Sequence, residues 1–313
     1  MEPFGLPTSP HVEKIEFTGN TLVAGSSWQT WTKPAGKSYL TMVLFGGGGG
    51  GGAGAIGNPA AASGGGGGGS GGLTIVEVPL ALLPNRLYVS VGGAKTGAGI
   101  GTYVSTQPNL TSNHVFACVY GGLAGGNASG ATAGTAGSPA GPVAATNMPI
   151  GWVFRKLILG GQAGTAGGTG YATGGALTLP TTGIRTTGGT GGGGVGADGG
   201  NGESGGSFII PASPTHYLPH PGGVGPVPAE VAPSAGNSGF RLDTGSGGYL
   251  YYGGTGGGSS STNGLPITES MIQAPGGNGG IGSGGGGSGG AITGSVAAPL
   301  SYGGAGLAVF VCY

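Results

Sequence analysis

Charge is what this sequence has least of: Asp, Glu, Lys and Arg together make 6% of the 313 residues, nine basic residues balancing nine acidic ones. No broad positive field exists to gather phosphates, so nucleic acid is not expected as a partner. Glycoside hydrolysis needs paired carboxylates on a rigid groove, and the acids nearest the aromatic-rich part of the chain are only Glu203, Glu230 and Asp243. Cysteine is almost absent. Cys118 and Cys312 lie in apolar, strand-like segments with no CxxC, which reads as two buried thiols, a single disulfide being the alternative. No stretch approaches the roughly 20 apolar residues of a membrane helix, and the start MEPFGLPTSP lacks a basic region followed by an apolar core. The chain is therefore expected to be made in a cytoplasm and to stay unanchored. No convincing helical segment occurs. No enzyme activity, cofactor or metal is expected.

What is abundant is glycine, with 85 residues, beside 22 prolines. Such a composition without a strict triplet suggests low complexity, because glycine loses more backbone entropy on folding than any other residue. Disorder, however, goes with low hydrophobicity and high net charge, whereas this chain is 37% hydrophobic and neutral. Short apolar runs at 39–45 (YLTMVLF), 73–78 (LTIVEV), 86–91 (RLYVSV), 115–120 (VFACVY), 153–159 (VFRKLIL) and 307–313 (LAVFVCY) predict β-strands. The first is apolar at every other position on both faces, which predicts cover on both sides. Glycine tracts fill the intervals, at 46–52, 64–72, 121–141, 160–175, 188–206, 253–258 and 276–290. They lack the Gly-X-Y repeat of collagen.

Extended left-handed helices of the polyproline II type, with about three residues per turn, have no internal hydrogen bonds, so their amides must be satisfied laterally. Glycine alone permits neighbours to approach from every side, with Ala, Ser and Asn at the boundaries. The expected fold is thus all-β plus polyglycine II, short strands flanking a bundle of packed glycine helices without significant α-helix. Flexible linkers between strands are the alternative.

An aromatic and proline-rich insert over 207–252 interrupts the pattern. His216, Tyr217, His220, Phe240, Tyr249, Tyr251 and Tyr252 are its candidate partner-binding residues, since aromatics on stiff loops offer large contact area at low entropy cost. Phe208, Ile209 and Ile210 serve equally well as a cap on the glycine bundle. His216 and His220 have metal-pair spacing, but Pro219 prevents the helical turn that would align them. The glycines at 194, 196 and 199 spell GxGxxG, which so much glycine produces by chance and which lacks the flanking strand and helix of a dinucleotide site. The segment 193–198 (GGVGAD) resembles half a calcium nonapeptide without its tandem copy.

The segment WQTWTKPAGKSYLTMVLFGGGGGGG (28–52), then GGLTIVEVPLALLPNRLYVSVGG (71–93), a glycine-rich body and the closing GGAGLAVFVCY (303–313) resemble the glycine-rich domain of phage tail-fibre and other virion proteins. Trp31, Thr32, Pro34, Ala35 and Gly36 match that family's opening motif, and Trp31, Pro34 and Gly36 are its structural positions here. The resemblance implies a tail fibre or fibre-tip adhesin, exposed on a virion assembled in the host cytoplasm. Its implied partners are other virion proteins and a host receptor, either a polysaccharide or an outer-membrane protein. A homo-oligomer, by preference a trimer, and an attachment arm at 1–16 ahead of a domain at 17–313 complete the expectation. A minor structural or decoration protein without receptor binding is the alternative.

Overall fold

The computed structural model describes residues 12–19, 22–57, 62–142, 155–179, 186–195, 203–209, 221–223, 234–243, 249–251, 253–257, 273–292 and 296–313. The described residues form an all-β protein. Fifteen strands follow in chain order: β1 (Glu13–Thr18), β2 (Gln29–Thr32), β3 (Tyr39–Phe45), β4 (Ile56–Gly57), β5 (Leu73–Pro79), β6 (Arg86–Ser90), β7 (Thr102–Ser105), β8 (Val115–Val119), β9 (Arg155–Leu159), β10 (Leu177–Thr178), β11 (Phe208–Ile209), β12 (Arg241–Asp243), β13 (Tyr249–Tyr251), β14 (Ala291–Ile292) and β15 (Leu307–Cys312). The only helical element among them is one 3-10 turn, Leu80–Leu82, whose end is held by Lys33 Nζ donating to the carbonyls of Leu80 and Leu83.

Two antiparallel sheets make a sandwich. One has the order β1-β15-β3-β5-β9 and the other β2-β6-β7-β8. Alternation along each strand decides the faces. Leu40, Met42 and Leu44 of β3, Val76 and Val78 of β5, and Ala308, Phe310 and Cys312 of β15 point between the sheets and meet Trp31, Leu87, Val89, Val104 and Val119. Trp31 and Phe17 both set their rings edge-on to Phe310, at 5.6 and 5.1 Å. The opposite face of the larger sheet is also apolar, with Phe45, Leu73, Ile75, Leu307, Val309 and Val311 buried. The two-faced apolar pattern of β3 thus has cover on both sides, though Val43 is only half-buried.

The boundary expected after residue 16 falls inside a strand. Glu13 to Thr18 pair in register with Cys312 to Leu307, so residues 13–16 belong to the sheet rather than to an arm. Ile15 and Phe17, two apart, supply the periodicity that ties them there. Residues 1–11 lie outside the described part.

The glycine tracts are bonded to one another. Amides of residues 64–72 donate in rotation: Gly64, Gly67 and Ser70 to the carbonyls of Gly168, Thr165 and Gln162; Gly65, Gly68 and Gly71 to those of Ser288, Gly285 and Gly282; Gly66, Gly69 and Gly72 to those of Gly126, Leu123 and Tyr120. Their carbonyls accept in the same rotation from three further stretches. Gly64, Gly67 and Ser70 accept from Gly134, Gly137 and Ala140; Gly65 and Gly68 from Gly192 and Gly189; Gly66, Gly69 and Gly72 from Gly52, Gly49 and Gly46. Six tracts therefore surround this one, and they bond around the ring as well, as in Gly122 to Gly47, Gly285 to Gly49 and Gly168 to Gly192. A Cβ on Gly68 would collide with the carbonyl of Gly49. Side chains that do enter are hydroxyls that bridge backbones: Thr190 Oγ1 donates to Gly206 O and accepts from Gly256 N, at 2.5 and 2.8 Å.

Candidate functional site

Chain direction gives the molecule two ends. Cys312 pairs with both Glu13 and Leu40, so the outer ends of β1, β3 and β15 share the pole farthest from the glycines. From Phe45 the chain runs outward along 46–55 to β4, which pairs with β14 at the opposite pole. Two tight turns lie at that distal pole. One closes through the Ser129–Thr132 bridge with Gly130 at φ +55°, and the other through Ala172 N to Thr169 O with Gly170 at φ +47°. Both need a left-handed residue that only glycine adopts without strain. Beside them Ile56, Tyr171 and Val296 are exposed.

Of the expected binding residues, His216, Tyr217, His220 and Tyr252 lie outside the described part. Phe240 is half-buried immediately before β12. Tyr249 and Tyr251 occupy β13, opposite Asp243 and Arg241 of β12. The stretch leading to β12 runs with 273–280, Gly236 bonding to Pro275 and Gly239 to Asn278, so this hairpin stands at the sandwich side of the bundle. β11 ends on the same side, paired in parallel with β10, and its Phe208 is buried while Ile209 is exposed. β11 and the β12–β13 hairpin therefore lie toward the sandwich rather than the distal turns. Of the expected set, the three described members, Phe240, Tyr249 and Tyr251, lie together at the β12–β13 hairpin.

Tyr171 escaped the sequence reading. Its signal was a lone aromatic within GGTGYATGG, where neighbouring glycines offer nothing for it to pack against. Trp31 is 1% exposed in the sandwich core and Gly36 sits at φ +73° in the turn between β2 and β3, which explains why the motif needs both residue types. Pro34 is half-buried in the same turn.

Charge is sparse here too. Among the described residues one ion pair forms, Lys14 to Glu16 at 2.6 Å on the edge strand β1, and no cluster of His, Cys, Asp or Glu has a metal-ligand arrangement. Cys118 and Cys312 are both buried, and no disulfide joins them. Burial pushes the Cys312 thiol up to about 11, with nearby Glu13 adding to the effect, so it stays protonated and a poor nucleophile at neutral pH. Burial likewise raises Tyr103 and Tyr313, the latter stacked on Tyr39 and donating to Glu77 Oε1 at 2.9 Å. No protein-family model matches the chain, and no curated protein matches it.

Proposed function

We propose that this chain is a glycine-rich phage virion protein, a tail fibre or fibre-tip adhesin that attaches the particle to a host cell surface. The single observation that carries the reading is the molecule's polarity. The outer ends of β1, β3 and β15 lie at one pole, where mounting on other virion proteins leaves the rest free. A rigid, nearly uncharged body then holds turns with exposed Tyr171 and Ile56 at the other pole. Binding residues on loops held by a rigid scaffold are the usual arrangement of recognition proteins.

The body is, in this proposal, a bundle of polyglycine II helices. Its support is the strict rotation of hydrogen bonds: a segment that meets each neighbour at every third residue, on six sides, turns once per about three residues and has no bonds within itself. Native-state hydrogen exchange tests this. Amides of 64–72 are expected to exchange as slowly as those of β3 and β15, and exchange at the rate of the exposed turn at 129–132 would refute the packed bundle.

The attachment role is tested on particles carrying Tyr217→Ala, His220→Ala, Tyr251→Ala or Tyr171→Ala. Assembly is expected to continue while adsorption to the host falls at least about tenfold for a residue in the contact. Normal adsorption by all four would instead favour a decoration protein that stabilises the particle.

A further inference from the structure

Where the sandwich meets the bundle, one side of the molecule carries an open groove of about 440 Å³. Small-ligand sites span roughly 300–1,000 Å³. Its lining includes Leu22, Val23, Lys95, Ile100, Tyr103 and Tyr120. Leu22, Val23 and Tyr120 are exposed apolar or aromatic groups, while no acidic residue lines the groove. Two polar groups face this surface without internal satisfaction. The Lys95 ammonium and the Tyr103 hydroxyl have neither a hydrogen-bond nor an ion-pair partner among the described residues. Their backbones are fixed: the Lys95 carbonyl accepts from Gly303 N at 2.8 Å, and Tyr103 sits in β7 between β6 and β8. A Cβ on Gly101 would come within 2.7 Å of the Tyr103 hydroxyl, so the glycine there keeps that group in position.

An apolar groove with a few convergent polar groups is the usual form of a small-ligand site. The chemistry of these groups narrows the ligand. A phenol face packs against the C–H face of a pyranose, an unpaired ammonium recognises a carboxylate or phosphate, and a neutral phenol donates to a ring hydroxyl. Tyr103 remains neutral because burial raises it, with Cys118 and Tyr120 adding to the effect. We propose that this groove binds a hexose ring bearing one anionic group, the ring packed on Tyr120 and the anion held by Lys95.

The groove is distinct from the distal turns. The proposal rests on the host-attachment reading only for where such a sugar comes from, since acidic hexoses are components of surface polysaccharides. Its test uses the full chain alone: titration of glucuronate, glucose 6-phosphate and glucose, followed by saturation-transfer NMR and calorimetry. Saturable binding of at least one acid is expected, with glucose about tenfold weaker or more, as the loss of one charge-assisted contact requires. Binding of only one acid identifies the anion. Lys95→Met should reduce the acids to the level of glucose, and Tyr120→Ala should remove all binding, both with unchanged melting temperature. No saturable binding at millimolar sugar, or undiminished binding of the acids by Lys95→Met, overturns the proposal. Particles carrying Lys95→Met that still adsorb while the acid no longer binds would leave the groove standing and detach it from host attachment.

Discussion

A single methyl group is the most informative probe of this protein. Gly68 donates to Gly285, accepts from Gly189 and abuts the Gly49 carbonyl, so Gly68→Ala must push one backbone away from another. Overpacking of this kind costs about 1–3 kcal/mol or more. Gly141 has nothing within 4 Å of where a Cβ would stand. Gly141→Ala should therefore be neutral or stabilising by up to about 1 kcal/mol, because it restricts the unfolded chain. Denaturant titration of the two variants separates them, and equal effects would mean that the tracts are not packed against each other. Gln273 shows the same demand in a polar side chain: Nε2 donates to Gly54 and Gly289 and Oε1 accepts from Ala298, which satisfies a residue only 1% exposed.

Elements differ in how plainly the residues announce them. Six strands stood out because each is a short apolar cluster or a period-two alternation, and β3 matches residue for residue. β1 did not, since EKIEFT alternates charge with only two core residues and is an edge strand that keeps its outer face polar. The two-residue strands β4, β10, β11 and β14 have no periodicity to read at all. In the tracts, by contrast, spacing encodes position. The fully surrounded tract at 64–69 is uninterrupted glycine, whereas at 134–140 only Gly134, Gly137 and Ala140 are buried, with Thr135, Ala136, Ser138 and Pro139 exposed between them. Small residues at every third place thus mark a tract at the rim. The proposed binding residues were less legible because aromatics in a proline-rich insert look alike whether they cap or contact, and nothing local shows which pole they occupy. At this scale, removal of residues 1–11 should leave the melting temperature nearly unchanged, whereas removal of 1–16 deletes most of β1 and Ile15 with it. A drop of several degrees only for the longer deletion, seen in a thermal scan, is the expected result; equal melting of both would place β1 outside the cooperative unit.

The whole molecule is stabilised in two ways at once. The sandwich has an apolar core of ordinary kind, but the mutually bonded glycine tracts remove backbone amides and carbonyls from water with few side chains among them. Exposure of apolar surface raises the heat capacity on unfolding and exposure of polar surface lowers it. Calorimetry should accordingly give a heat-capacity change per residue below the usual ~12–15 cal/mol/K, and a value inside that range would mean that the bundle melts without exposing its backbone. One feature of the larger sheet bears on how the protein comes to exist. β15 lies between β1 and β3, so residues 307–312 fill the gap between two segments far earlier in the chain. Until 307–312 pair, β1 has no neighbour in this sheet and β3 has β5 alone, so the sheet closes only when β15 inserts between them. A chain whose β15 is missing or misplaced therefore leaves β1 unpaired and one edge of β3 open, an edge to which another strand can add.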